Sequence, residues 1–270
     1  MNVDFRFTER TRQPENIPLI QKMKTSLRSF YSGNPLLLLC SLSTMAHSQN
    51  AIWDTAETAE VTVSTGSSNS LFVQSADILG GERDMYIEIL AGGISAGNNM
   101  WTRTDAEPLR LESNAASGSA TLAIWTWDGE DGSTALNPIG LGGVDLANLY
   151  SGLLFEFTSD GADNVQWDIV FYSDASNHST YTIYQPFSLP VSDVTYSPSF
   201  SDFAVTAGTG ADFSNIGAIE IMTSSPSPAI NGAVDSMIRN LQFSPTLVPE
   251  PTSSLLMLLA MSGIFYKRKR

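Results

Sequence analysis

Between residues 49 and 249 the apolar residues never recur at a helical period over twelve positions. What recurs instead is short runs of period-two alternation, closed off by turn residues. Candidate strands fall at 59–64, 71–73, 85–90, 109–112, 120–127, 153–158, 165–172, 180–184, 203–206, 216–222 and 236–243. In the third of these, Tyr86, Glu88 and Leu90 share one face while Met85, Ile87 and Ile89 share the other, the signature of a half-buried antiparallel strand. Asp128-Gly129, Asp131-Gly132, Asp160-Gly161 and Ser173-Asp174 supply the turns, and Asn177-His178 reads as a hairpin tip. Asp145 to Tyr150 has room for one helical turn. Many short strands without helices predict an all-β fold, an antiparallel two-sheet sandwich, with a jelly roll as the topology.

The two ends read differently from this middle. Lys24 and Arg28 precede the apolar run 35–40, and Ala46-His47-Ser48 offers small residues at −3 and −1 of a cleavage site. Charge, apolar run and small residues in that order predict a secretory signal peptide cut between Ser48 and Gln49. Residues 1–48 are therefore an N-terminal extension plus signal peptide, with Met23 as an alternative start. The sandwich is assigned to 49–243, a linker to 244–247 and a separate tail to 248–270.

That tail begins with Pro249, Glu250 and Pro251, continues through the uncharged run 255–266 and ends on Lys267, Arg268, Lys269 and Arg270. Prolines stop regular structure before the run. The run is short against the about 20 apolar residues of a usual spanning helix, and the cations bias its far end towards the cytoplasm. The order of parts resembles the PEP-CTERM sorting signal of Gram-negative bacteria that make extracellular polysaccharide. The resemblance implies an exosortase-type transpeptidase acting at Pro249, Glu250 and Pro251, with 255–266 as a transient inner-membrane helix. It also implies passage through the secretion translocon and signal peptidase, to a final place at the cell surface or in an extracellular matrix.

Charge narrows what the middle can do. Four arginines stand against 24 Asp and Glu between 49 and 249, a net charge of −20, and no lysine is present. Such a field repels nucleic acid and anionic lipid, so a nucleic-acid partner is excluded. Cys40 lies in the signal peptide, which leaves the middle without thiol or disulfide chemistry. One histidine, His178, and no cysteine argue against zinc.

Three site chemistries remain open. Asp128, Glu130 and Asp131 crowd one turn, and Asp160 and Asp163 another, the hard-oxygen setting that Ca²⁺ takes up. No cofactor is required, and solvated turns are the simpler account of these residues. Trp125 and Trp127 lie two apart on one strand face, where they either stack on sugar rings or fill the core. Gly93-Ile94-Ser95-Ala96-Gly97 spells a nucleophile elbow, but no helix follows it, and no catalytic residue is assigned.

Short strings resemble galactose-binding-like jelly rolls: Leu79-Gly80-Gly81-Glu82-Arg83-Asp84, Leu141-Gly142-Gly143-Val144-Asp145-Leu146, and the closing pair 211–221 and 233–238. The expectation is an exported, non-catalytic protein, structural or adhesive in an exopolysaccharide matrix. The alternatives are a carbohydrate-binding module, with or without calcium, and a glycan-active enzyme of sandwich fold.

Overall fold

The computed structural model describes residues 53–246 apart from 56–57, 64–66, 93–96, 104–108, 162–163, 187–189 and 225–233. The signal-peptide site Ser48/Gln49, the sorting tail, Ser95 and Asp163 lie outside the described residues.

Among the described residues thirteen strands form two antiparallel sheets: β1 Ala59–Thr62, β2 Ser68–Gln74, β3 Glu82–Ala91, β4 Asn99–Arg103, β5 Arg110–Ala115, β6 Ala120–Trp127, β7 Tyr150–Ser159, β8 Val165–Asp174, β9 Asn177–Gln185, β10 Val191–Tyr196, β11 Ala204–Ala207, β12 Ala218–Ser224 and β13 Val234–Pro245. One sheet has the order β1-β4-β5-β13-β7-β10 and the other β11-β9-β8-β12-β6-β3-β2. The chain crosses between sheets at most connections, which gives the expected jelly-roll sandwich. Only two short 3₁₀ turns, Leu79–Gly81 and Phe200–Asp202, interrupt the strands among the described residues. At 145–150 the backbone makes the expected single turn, with the Tyr150 N–H donating to the Leu146 carbonyl at 2.9 Å.

Alternation sorts the residues of each strand between core and surface. Met85 and Ile87 are fully buried and Leu90 is half exposed, as expected from their parity. The core is aromatic: Trp125 stacks on Trp167 at 5.5 Å, and Trp53 meets Trp127 edge-on at 5.7 Å. Both Trp125 and Trp127 are completely buried, so neither stacks on a sugar. Their face is the one turned towards the other sheet, and two-residue spacing alone does not say which face that is.

Three strand assignments change. β4 and β10 lie outside the candidate strands. β10 is an edge strand bulged at Asp193, whose φ of 58° breaks the alternation. β13 runs to Pro245, and the Thr246 N–H donates to the Leu149 carbonyl at 3.0 Å, so residues 244–246 belong to the sandwich rather than to a linker.

The glycine strings are also explained. Gly80 (φ 80°) and Gly81 (φ 90°) need left-handed backbone, and a Cβ on Gly80 would run into Leu141 and the Gly129 backbone. The glycine strings at 79–84 and 141–146 thus pack on each other. Arg83, between Glu82 and Asp84, points inward instead: its Nη1 meets Asp54 Oδ2 at 2.6 Å, with both side chains fully buried. Trp127 Nε1 donates to that same oxygen at 3.0 Å.

Candidate functional site: the outer face of the seven-stranded sheet

Even-numbered residues of β3, β6, β12 and β8 point away from the core. The pairing register sets them in rows across the sheet. One row runs Phe72, Asp84, Thr126, Glu220, Val170, Thr180. The next runs Ser70, Tyr86, Ile124, Met222, Asp168, Thr182, and a third ends Leu122, Ser224, Gln166, Tyr184. From β3 to β9 the face spans four strand spacings, roughly 19 Å.

The first row is closed. Asp84, Thr126, Val170 and Glu220 are all buried, and Glu82 and Asp128 beside them are fully so. The turn after β6 comes close to this end of the sheet, where the Gly132 N–H donates to both Glu82 carboxylate oxygens at 3.2 Å. Gln74 Nε2 donates to Glu82 Oε2 at 2.6 Å, and the Asn137 N–H to Asp128 Oδ2 at 2.5 Å. Apart from each other, Asp84 at both oxygens and Asp128 at Oδ1 have no hydrogen-bond partner.

Electrostatics follow from that geometry. Burial first, then the charges of Asp128 and Glu82, push the Asp84 carboxyl up to about 8 from its ordinary 3.8. Protonated Asp84 donates to Asp128, and the two share one proton. Burial likewise lifts Asp128 to about 6, against the lowering effect of the Asn137 N–H. Glu220 is raised by burial too, offset by the Tyr172 hydroxyl, which donates to its Oε2 at 2.6 Å, and by His178. The His178 ring lies 5.0 Å from that of Tyr172, and its Nδ1 bonds Thr206 Oγ1 at 2.8 Å.

The second and third rows are open. Leu122, Ile124 and Met222 make a half-buried apolar floor between two polar groups. On one side Tyr86 donates to Glu88 Oε2 at 3.2 Å. On the other, Asp168 accepts from Thr182 Oγ1 at 2.5 Å and Gln166 Nε2 at 2.6 Å. Tyr184, more than half exposed, stands at the far edge and donates to Asn164 at 3.2 Å. Planar rings, an apolar floor and oriented acceptors at one surface are the elements that hold a sugar ring by stacking and hydrogen bonds.

The residues singled out from sequence fare unevenly. Asp128 turns into the buried pair, whereas Glu130 and Asp131 lie exposed on the turn, where Asp131 Oδ1 accepts the Ser133 N–H at 2.8 Å. Asp160 sits at the end of β7, bound to the Asp235 N–H at 3.2 Å. Among the described residues no three carboxylate or imidazole groups converge as a metal site, and Asp163 of the second turn lies outside them. Sequence reasoning missed Glu82 and Asp84 as partners of Asp128, and Tyr86, Asp168 and Tyr184 as one surface. Strand parity was the available signal for the latter, but strand order was not. A shallow hollow on the six-stranded sheet is lined by Leu154, Phe155, Glu156, Thr195, Asn240 and Gln242, with the Phe155 side chain buried.

No family model matches the chain, and no curated protein does. Among solved structures it is similar to the family 11 carbohydrate-binding module from Clostridium thermocellum in complex with a β-1,3-1,4-mixed-linked tetrasaccharide, at 14% identity over 70% of this chain and 96% of that chain (TM-score 0.29). It is similar to a family 12 xyloglucanase from Bacillus licheniformis at 9% identity over 71% and 100% (TM-score 0.31). It is also similar to an exo-β-agarase at 16% identity over 59% and 23% (TM-score 0.33). A binding module and two enzymes stand at the same low level, so these likenesses do not choose between binding and catalysis.

Proposed function

We propose that the chain is an exported, non-catalytic surface protein whose sandwich binds polysaccharide through the open rows of the seven-stranded sheet. The observation that carries this reading is the placement of Tyr86 and Tyr184 on one outer face, with acceptors beside each and an apolar floor between. Matrix attachment then follows from binding, and the adhesive role expected from the tail needs no further chemistry.

Catalysis is disfavoured by geometry. Glycosidic cleavage needs two carboxyls about 5–10 Å apart with the scissile bond between them. Asp84 and Asp128 touch each other instead, which leaves no space for an anomeric carbon. Asp84 and Glu220 stand two strands apart, but both are more than nine-tenths buried, out of reach of a sugar chain.

Tyr86→Ala and Tyr184→Ala are each expected to weaken polysaccharide binding at least about fivefold, roughly 1 kcal/mol, without loss of fold. Thr195→Ala, on the other sheet, is expected to change nothing. Equal binding by all three variants in affinity electrophoresis would remove the face from consideration.

Export and sorting are the second half of the proposal, resting on the tail. Glu250→Ala is expected to leave the protein in the inner membrane with Lys267 to Arg270 still attached. Mass spectrometry of the surface fraction checks it: an intact C-terminus on surface-released wild-type protein contradicts exosortase processing.

A further inference from the structure

We infer that the polysaccharide bound at this face carries free amino groups: a partly or fully deacetylated hexosamine polymer. The inference rests on the binding reading above and deepens it.

Charge is segregated between the two sheets. Arg83 points into the core against Asp54. Arg110 pairs with Glu112, and Arg239 with Glu156 and Asp193, all on strands of the six-stranded sheet. Among the described residues of the seven-stranded sheet no Lys or Arg side chain lies on the outer face, which presents Glu88 and Asp168 at its open rows.

A face whose open rows carry carboxylates and no cationic side chain repels uronate and sulfate groups and draws cations. Aromatic rings sharpen the choice. An ammonium group over Tyr86 or Tyr184 gains cation–π attraction, and the carboxylate beside Tyr86 accepts its N–H bonds. A carboxylate offers about four acceptor positions, and Asp168 has spent two of them on Thr182 and Gln166. A small inorganic cation would use the charge but not the rings, and a sugar-borne ammonium uses both.

The test titrates the full chain with three probes by calorimetry: a fully deacetylated glucosamine oligomer, its N-acetylated counterpart and polygalacturonate, at low and high salt. The deacetylated oligomer is expected to bind about tenfold tighter than the acetylated one, the order given by two exposed charge pairs, and to lose that margin at high salt. The Glu88→Gln/Asp168→Asn double variant is expected to bind both oligomers equally, while Glu112→Gln on the opposite sheet keeps the preference. Equal affinity of the wild type for both oligomers, or tighter binding of polygalacturonate, overturns the amino-sugar assignment and leaves polysaccharide binding standing. Binding of none of the three overturns both.

Discussion

Asp54→Ala is expected to lower the unfolding free energy by about 3–5 kcal/mol, because it strands the Arg83 guanidinium in the core. Trp127 loses the acceptor of its indole N–H in the same change. Against a typical total of about 5–15 kcal/mol, that is a third or more of the stability. Urea unfolding of the variant beside the wild type measures it. Replacing both partners, as Asp54→Leu with Arg83→Met, is expected to recover most of the loss, since an apolar pair of similar volume removes the desolvation cost along with the attraction. A single-variant cost under about 1 kcal/mol would mean that the pair is solvated and that the first residues of the sandwich are not anchored as described.

The second large effect is a pH dependence set by the proton that Asp84 shares with Asp128. An acid whose folded pKa lies above its unfolded value binds its proton more tightly when folded. The stability it contributes is complete below about pH 4 and is lost as pH rises towards and through about 8. For one proton the steepest slope is about 1.4 kcal/mol per pH unit. Asp84→Asn removes the buried charge, and the amide can donate to Asp128 as the protonated acid does. It is therefore expected to be more stable than the wild type above pH 8 and to lack that slope. Melting temperatures of the two proteins from pH 4 to 9 read the difference directly. Parallel curves would show that Asp84 titrates as an ordinary surface carboxylate.

These two expectations mark where strand pattern informs and where it stops. Parity put Met85 and Ile87 on one face and Tyr86 and Glu88 on the other, because a strand half-buried in a sheet must alternate, and the first face is the buried one. It could not say whether the face shared by Trp125 and Trp127 is core or surface, since both kinds of face repeat every two residues. Packing against Trp53 and Trp167 resolves this, and neither partner is close in sequence. The crowded acids at 128–131 were visible as a turn, but their chemistry depends on Asp84, which β3–β6 pairing carries to the end of β6. Register across long range is what composition and spacing do not carry. Edge strands such as β10 escape for a different reason: an exposed, bulged strand has no buried face to impose alternation.

The central claim is that a sugar chain lies across the outer face of the seven-stranded sheet. Its most direct test is amide chemical-shift mapping of the isotope-labelled full chain during titration with a glucosamine oligomer. Saturable shifts confined to β3, β6, β12, β8 and β9, centred on Tyr86, Asp168 and Tyr184, are the predicted result. Shifts around Thr195 and Gln242 on the six-stranded sheet, or none at saturating oligomer, would contradict it.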